Sequence, residues 1–377
     1  MDLLSLHFDV LHVVLSLLRP YDALQLAMTS RVAYATAMPC YLSEVTLSNS
    51  ARAQRSKVAQ YCAYILGDVP RRAQCLKILR IRDDAFRSFP AAESIQWKTT
   101  HDYAPAFCLA QVLRHAGQLR VVDIDRAEYL FEAMPVIADV LASCPNLHRI
   151  RLINVGPASL RLIARLSSRP SHIELDISDA ANDDRQIRPS ELLAPERDRF
   201  LHSLTHSLTS LTLARRPDIL TLLEPHTVWP CVRRLSVWGN VGSLAALAAA
   251  FPALVYLHVP TLDLDVVDTL RPAVWPALDH VVTGCPLPLA CPVRRLELHY
   301  DLDAIDEAAW YAGTLALLRD TAPVVLACSM NSRILSCIAN TVLSVRFAEF
   351  LVTDFLLEAL LGGDAESAES CIVSQSG

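Results

Sequence analysis

The sequence has few of the features that carry phosphate, metal or nucleic-acid chemistry. Its ten glycines are spread over 377 residues, and Gly239-x-x-Gly242 matches neither a P-loop nor a dinucleotide-binding fingerprint. The eleven cysteines include no C-x-x-C pair, so neither a zinc site nor a disulfide framework is indicated. We interpret them as reduced, mostly buried side chains of a cytoplasmic or nuclear protein.

Charge and hydropathy argue against a nucleic-acid-binding protein and against a secreted or membrane-spanning one. The net charge of −6 gives no basic footprint for nucleic acid. The start MDLLS carries an acid where a signal peptide carries positive charge. Asp9, His12 and Arg19 interrupt the first apolar stretch before it reaches the ~20 residues of a membrane span. We therefore expect a folded protein without a membrane or nucleic-acid partner.

Catalytic and metal sites find little support in the sequence. His202-x-x-x-His206 has the spacing of two metal ligands on one helix face, but no third ligand accompanies it, and the segment fits better as a helix leading into a strand. No G-x-S-x-G elbow of a serine hydrolase is present. We assign no catalytic residue, cofactor or metal, and expect that the chain is not an enzyme.

The first helix is more apolar than one core requires. Between Leu4 and Leu24, the polar residues Asp9, His12, Ser16 and Arg19 share one stripe, about a quarter of the helix circumference. A helix that faces a single core normally keeps a polar face about as wide as its apolar face. We therefore expect this helix to contact a second surface besides the core of its own chain.

An apolar-x-x-apolar-x-apolar pattern recurs along the rest of the chain. It occurs as LSEVTL, LKILRI, LRVVDI, LHRIRL, LTSLTL, VRRLSV, LVYLHV, VRRLEL and VLSVRF, with weaker copies in HIELDI and LDHVVT. Leu211, Leu235, Leu257 and Val281 follow one another at steps of 24, 22 and 24 residues, within the 20–29 residue period of leucine-rich repeats. The alternating apolar side chains are expected to point inward.

Prolines recur shortly before several of these strands. A large or sulfur-bearing residue precedes proline in Cys144-Pro145, Trp229-Pro230, Phe251-Pro252, Trp275-Pro276 and Cys291-Pro292. Proline ends a helix and favours an extended conformation at the residue before it. Helical segments such as LFEAMPVIADVLASC, SLRLIARLSS and GSLAALAAAF fill the intervals, so each unit is predicted to be helix, proline stop and short strand.

The N-terminal segment resembles the F-box of F-box proteins with C-terminal leucine-rich repeats, in the divergent style common in fungi. The residues that match the family pattern without a gap are Leu6, Asp9, Val10, Leu11, Val14, Leu18, Pro20, Asp22, Ser30 and Arg31. His7 stands where the family has proline and Ala23 where it has leucine, and no tryptophan follows Arg31. The resemblance covers about residues 4–38 for the F-box and, more loosely, 42–350 for the repeats.

This resemblance implies an α/β protein: a three-helix F-box at 1–40 and a curved leucine-rich-repeat solenoid at 41–350. From composition we expect 179–199 to be a polar insertion within the solenoid, and 351–377 to form a helix end and a disordered acidic tail. The F-box would dock on the Skp adaptor of a cullin–RING ubiquitin ligase, and the repeats would bind a target protein of unknown identity. The residues implied in adaptor binding are Leu6, Phe8, Asp9, Val10, Leu11, Val14, Leu15, Leu18, Pro20 and Leu24.

Side chains between the strand leucines are the candidates for target binding, because repeat arrays build extended binding surfaces. They are Arg149, Arg151, Arg233, Arg234, Trp238, Tyr256, His258, Arg294, Arg295, Glu297 and His299. Arg, Trp and Tyr dominate binding hot spots, although each candidate could equally be a solvated strand residue. Two alternatives stay open: a repeat scaffold unrelated to ubiquitin whose first helices form a terminal cap, and an enzyme of unrecognised type.

Overall fold

The computed structural model describes most of the chain between residues 6 and 351. The described ranges are 6–49, 56–88, 100–177, 201–214, 227–239, 243–260, 273–300, 308–329, 335–336, 338 and 344–351. The predicted insertion at 179–199 and the predicted tail beyond residue 351 lie outside these ranges. The chain divides into two compact units, residues 1–204 (unit 1) and 205–377 (unit 2).

Unit 1 begins with three helices and continues with parallel strands. Its helices are α1 (Phe8–Leu17), α2 (Pro20–Ala27), α3 (Arg31–Ser43), α4 (Lys57–Leu66), α5 (Val69–Arg72), α6 (Ala104–His115), α7 (Ala127–Ala133), α8 (Pro135–Ser143) and α9 (Pro157–Ala164). Its strands are β1 (Glu44–Leu47), β2 (Ile78–Ile81), β3 (Arg87–Ser88), β4 (Thr100–His101), β5 (Val121–Ile124), β6 (Arg149–Ile153) and β7 (His172–Asp176). Strands β1, β2, β5, β6 and β7 pair in this order, each pair parallel, and β3 pairs antiparallel with β4.

Unit 2 repeats the parallel arrangement. Its helices are α10 (Leu244–Ala250) and α11 (Ala308–Thr321), and its strands are β8 (Ser210–Ala214), β9 (Arg234–Val237), β10 (Tyr256–Val259), β11 (Leu278–Thr283), β12 (Val293–Leu298), β13 (Val325–Ser329) and β14 (Phe347–Leu351). Each strand pairs parallel with the next along the chain. Parallel neighbours need a crossover connection, so a strand and its connection form the recurring unit. The predicted α/β class is confirmed.

The apolar positions of the predicted repeat form one buried row in each unit. The paired residues of this row are Leu79, Val122, Ile150 and Ile173 in unit 1, and Leu211, Leu235, Leu257, Val281, Leu296 and Leu326 in unit 2. Each is at most 2% exposed. Burying one such side chain stabilises the fold by about 1.5–3 kcal/mol. The predicted inward direction of the strand leucines is confirmed.

The residues before the prolines also build the core. Cys144 and Phe251 are the C-caps of α8 and α10, where a proline follows each. The rings of Trp229 and Phe251 stack with centroids 6.2 Å apart, and Trp275 donates from Nε1 to the Phe251 carbonyl oxygen at 3.0 Å. All three aromatic side chains are buried. Trp229, Phe251 and Trp275, each of which precedes a proline, are therefore joined in the core of unit 2.

Two sequence predictions about proline are corrected. The predicted order of helix, proline stop and strand places the start of the first strand right after Pro39, but α3 continues through Pro39 to Ser43. Buried Met38 and Leu42 hold the helix to the core on both sides of the proline, and this burial outweighs the lost hydrogen bond. The helix predicted over 130–144 is divided into α7 and α8, because Pro135 occupies the first turn of a new helix.

Two further elements differ from the predicted ones. The segment 202–204 forms a short 3-10 turn before β8 rather than an α-helix. The last strand pairs Phe347 with Val325, so it begins where the predicted VLSVRF strand was to end. Phe347 was predicted to point inward, yet it is 59% exposed. The hydrogen bonds with β13 decide this register, and the local apolar pattern does not contain that information.

Candidate functional site

The three N-terminal helices begin where the sequence places their caps. Asp9 lies in the first turn of α1, and Pro20 begins α2 with Asp22 in its first turn. Ser30 caps α3, since its Oγ accepts the Ala33 N–H at 3.1 Å. Proline at the first position and acids in the first turn suit a helix start. Three helices thus occupy the predicted region, and their identity as an F-box stays a prediction.

Large apolar side chains are exposed along all three helices. We call the following residues the N-terminal apolar set: Val10, Val13, Leu17, Tyr21, Met28 and Val32. Their exposure runs from 50% to 79%. On α1, steps of three and four residues place Val10, Val13 and Leu17 on one stripe. This stripe is the surplus apolar surface that the first helix was predicted to carry.

The residues implied in adaptor binding divide between surface and core. Asp9 and Val10 are exposed, whereas Leu6, Val14, Leu18, Pro20 and Leu24 are half-buried. Phe8 lies in α1, and its side chain is outside the described part of the structure. Leu11 and Leu15 are 7% and 3% exposed. These two leucines are therefore reassigned: they hold α1 to unit 1, and exposed neighbours missed by the motif, such as Val13 and Leu17, offer the free surface.

An open cleft of about 700 Å³ lies between α1 and α3. Its wall includes Leu11 and Leu15 from α1, Leu18 at the C-cap of α1, and Thr36, Pro39 and Cys40 from α3. Glu44, the first residue of β1, and Lys77, just before β2, also line it. Leu11 and Leu15, which pack α1 into unit 1, thus also line this cleft.

The outward face of unit 1 carries a ladder of alternating charge. Paired positions on β2, β5, β6 and β7 are Arg80, Asp123, Arg151 and Glu174. Arg151 donates to Asp123 at 3.0 Å and to Glu174 at 2.8 Å. Burial alone would lower the pKa of Arg151, but hydrogen bonds to Glu174 and Asp123 raise it above its ordinary value. Arg151, a candidate for target binding, is thus engaged by two acids of its own chain.

Arg149 is the more accessible of the two unit 1 candidates. Its side chain is 53% exposed, and its guanidinium lies 3.6 Å from the Glu174 carboxylate. Exposed ion pairs of this kind contribute little to stability, about 0–1 kcal/mol. Arg149 can therefore leave Glu174 for a partner at small cost, whereas Arg151 cannot.

The outward face of unit 2 gathers most of the other candidates into one cluster. We call it the histidine patch, formed by Trp238, Tyr256, His258, His280, Glu297 and His299, with Arg234 and Arg295 at its margins. Pairing of β9, β10, β11 and β12 aligns Arg234, Tyr256, His280 and Arg295 in one row. The next outward positions place His258 and Glu297 beside them. The strand register thus joins residues that are far apart in sequence.

Aromatic contacts organise one half of the histidine patch. Trp238, 40% exposed, meets His258 edge to face at 5.7 Å. Ser236 lies 3.0 Å from Nδ1 of His258 and accepts the Trp238 indole N–H at 3.1 Å. The Arg234 guanidinium lies 4.3 Å above the Tyr256 ring, a cation–π distance. The result is a partly exposed aromatic wall next to a histidine.

A single carboxylate organises the other half. Glu297 Oε1 lies 2.9 Å from Nε2 of His280 and 2.7 Å from Nε of Arg295, and its Oε2 lies 3.5 Å from His299. Arg295 also makes a bidentate pair with Glu349 at 2.9 and 2.6 Å. Burial alone would raise the pKa of Glu297, but its hydrogen bonds to Arg295 and His280 lower it. Glu297 is therefore ionised and fully engaged.

The described part of the chain shows no metal-binding cluster and no membrane-spanning helix, and two of its buried thiols are unreactive. These residues hold no group of three or more His, Cys, Asp or Glu arranged to bind a metal ion. Burial raises the pKa of Cys62 and Cys285 to about 12, so both thiols stay protonated and unreactive at neutral pH. None of the described helices has the length and hydropathy of a membrane span.

No protein-family model and no curated protein matches this chain.

Two predicted arginines lie away from the outward face. Arg233 and Arg294 each precede a buried strand leucine by two residues, which gives them the inward side of the alternation. Both side chains are exposed: Arg233 immediately precedes β9, and Arg294 is the second residue of β12. Arg233 and Arg294 therefore lie outside the row that Arg234 and Arg295 form with Tyr256 and His280, and their part in target binding stays a prediction.

One patch residue, His280, was missed from the sequence. It lies in LDHVVT, a copy of the repeat in which the apolar spacing is weak. Its outward position follows from its pairing with Tyr256 and Arg295. The sequence did contain a signal for His280. Val281 follows Leu257 at a step of 24 residues, which makes Val281 an inward position and its neighbour His280 an outward one.

Proposed function

We propose that this chain is the substrate-recognition subunit of a Skp–cullin–F-box ubiquitin ligase. In this proposal α1–α3 are an F-box that docks on the Skp adaptor, and the strands with their connections are a leucine-rich-repeat solenoid that holds the target protein. The observation that carries the proposal is the N-terminal apolar set. Exposed apolar residues in such number are typical of protein-binding surfaces.

The position of these side chains supports the proposal. Among the described residues, sixteen large apolar side chains are exposed, and seven of them fall between residues 10 and 34. A terminal cap of a repeat array needs a polar outer face for solubility. A helix that places aliphatic side chains in a partner groove needs an apolar stripe instead. The stripe on α1 fits the second role.

In that role this chain would not itself catalyse a reaction. The bond to ubiquitin would be made by the cullin–RING partners, and this subunit would raise the local concentration of the target beside them. Such proximity converts an encounter between free molecules into a local reaction. The outward strand faces, including the histidine patch, would supply the contacts to the target.

A repeat scaffold without any link to ubiquitin is the second candidate. Leu11 and Leu15 are buried in unit 1, which is the contact that a helical cap on the first strands would make. In that case α1–α3 would serve only their own unit, and the N-terminal apolar set would stay in solvent. The two candidates differ in one property, namely binding of the adaptor.

Co-elution of the full chain with a purified fungal Skp adaptor tests the proposal. We expect a stable one-to-one complex in size-exclusion chromatography, because the N-terminal apolar set would be buried against the adaptor. The positive control is a known F-box protein, which is mixed in parallel with the same adaptor and should co-elute with it. A folded chain that elutes separately from such an adaptor would refute the ligase proposal and favour the scaffold.

A further inference from the structure

The histidine patch contains more groups able to carry positive charge than it contains acids to balance them. Glu297, its only carboxylate among the residues that the structure describes, is occupied by Arg295, His280 and His299. Glu349, on β14, is in turn occupied by the guanidinium of Arg295. His258 contacts Trp238, Ser236 and Tyr256, and Glu297 acts on it only as a nearby charge.

Arg234 adds a full charge that has no acidic partner among the described residues. Its contact is the face of the Tyr256 ring, at 4.3 Å. A guanidinium held over an aromatic ring keeps N–H groups free for a carboxylate or phosphate. The paired strands therefore place Arg234 and Trp238 at the two ends of one outward stretch, with His258 between them and against Trp238.

We infer that the histidine patch binds a protein segment that carries anionic side chains, and that protonation of His258 strengthens this binding. The inference names the class of target segment and so rests on the proposed role of the strand face. An extended segment presents alternate side chains to a surface about 6.6 Å apart. Acidic side chains on that side would meet Arg234 and His258, and an apolar neighbour would pack on Trp238.

The charges around His258 determine the sign of the pH dependence. The pKa of His258 lies below its ordinary value, because burial disfavours the charged imidazolium, His299 and His280 oppose it, and Glu297 compensates only in part. His258 is therefore neutral at neutral pH in the free protein. An anion bound beside it favours the protonated form, so binding takes up a proton and the affinity rises as the pH falls.

Fluorescence anisotropy of the full chain, without adaptor, tests this inference. The probe is a fluorescein-labelled peptide of alternating aspartate and leucine, whose acids stay ionised over the range used, and the control peptide has asparagine in place of aspartate. We expect the affinity for the aspartate peptide to rise about fivefold from about pH 7.5 to about pH 5.5. His258→Gln should reduce that rise to about twofold or less, and the asparagine peptide should bind weakly at both pH values.

His206→Gln is the matched control, because His206 is an exposed histidine of unit 2 outside the patch, and it should keep the full rise. Arg234→Gln should weaken binding of the aspartate peptide at both pH values. Equal binding of the two peptides, no binding at all, or an unchanged pH response in His258→Gln would each overturn the inference. The assay contains no adaptor, so its outcome is independent of whether the chain co-elutes with one.

Discussion

Replacing Val13 and Leu17 together by aspartate is expected to abolish adaptor binding, with a loss of affinity of at least about 100-fold. Both side chains are more than half exposed and lie one helical turn apart on α1. Burying a valine or leucine in a partner groove contributes about 1.5–3 kcal/mol each, and a buried carboxylate without a partner adds a further cost. Titration calorimetry of the variant with a fungal Skp adaptor measures the loss.

A matched variant separates this effect from a general effect of added charge. Phe107 on α6 and Val274 in unit 2 are 52% and 67% exposed, so Phe107→Asp with Val274→Asp adds the same charge on other surfaces. Substitutions at exposed sites change stability by only about 0.5 kcal/mol, and both double variants should melt near the wild-type temperature. Equal adaptor affinity of the two double variants would show that α1 is not the docking helix.

Glu128→Ala is expected to lower the free energy of unfolding of unit 1 by about 3–5 kcal/mol. Glu128 lies at the start of α7, is 3% exposed, and caps α9 from a distance in sequence. Its carboxylate accepts the backbone N–H groups of Gly156, Ala158 and Ser159 at 2.7–2.9 Å, and the Ser159 hydroxyl at 2.8 Å. Each donor left buried and unpaired costs about 1–3 kcal/mol. Urea denaturation followed by far-UV circular dichroism measures the change.

Asp139→Ala provides the contrast for this prediction. Asp139 accepts from Arg165 at 2.8 Å, a distance as short as those around Glu128, but both side chains are more than half exposed. Exposed ion pairs contribute about 0–1 kcal/mol, so this variant should unfold close to wild type. Glu128→Gln should have an intermediate free energy of unfolding, since its amide oxygen can accept some of the same hydrogen bonds. Similar unfolding curves for Glu128→Ala and Asp139→Ala would contradict the assignment of Glu128 as the cap.

The strands could be predicted because their signal is local. Alternation in LKILRI or LVYLHV already determines which side chains face inward, and burial of Leu79 and Leu257 follows from it. The surplus apolar surface of α1 was predictable for the same reason, because it depends only on helical spacing. The interruption at Pro135 and the continuation through Pro39 were not, since burial of neighbouring side chains decides whether a helix tolerates a proline.

The candidate sites needed the strand register. Arg233 and Arg234 are adjacent in sequence, but only Arg234 lies on the outward row and stacks on Tyr256. The cap that Glu128 provides joins residues about 30 positions apart, and no motif marks it. The histidine patch joins β9 to β12, so its members were predicted one by one and their contacts were not.

The central claim is that α1–α3 form the docking surface for the adaptor, and amide hydrogen exchange tests it most directly. Exchange is measured by mass spectrometry on the full chain alone and on the chain saturated with a fungal Skp adaptor. We expect added protection in peptides that cover residues 8–43 and unchanged exchange in peptides from β8 to β13. Protection confined to the strands, or no added protection under saturating adaptor, would contradict the claim.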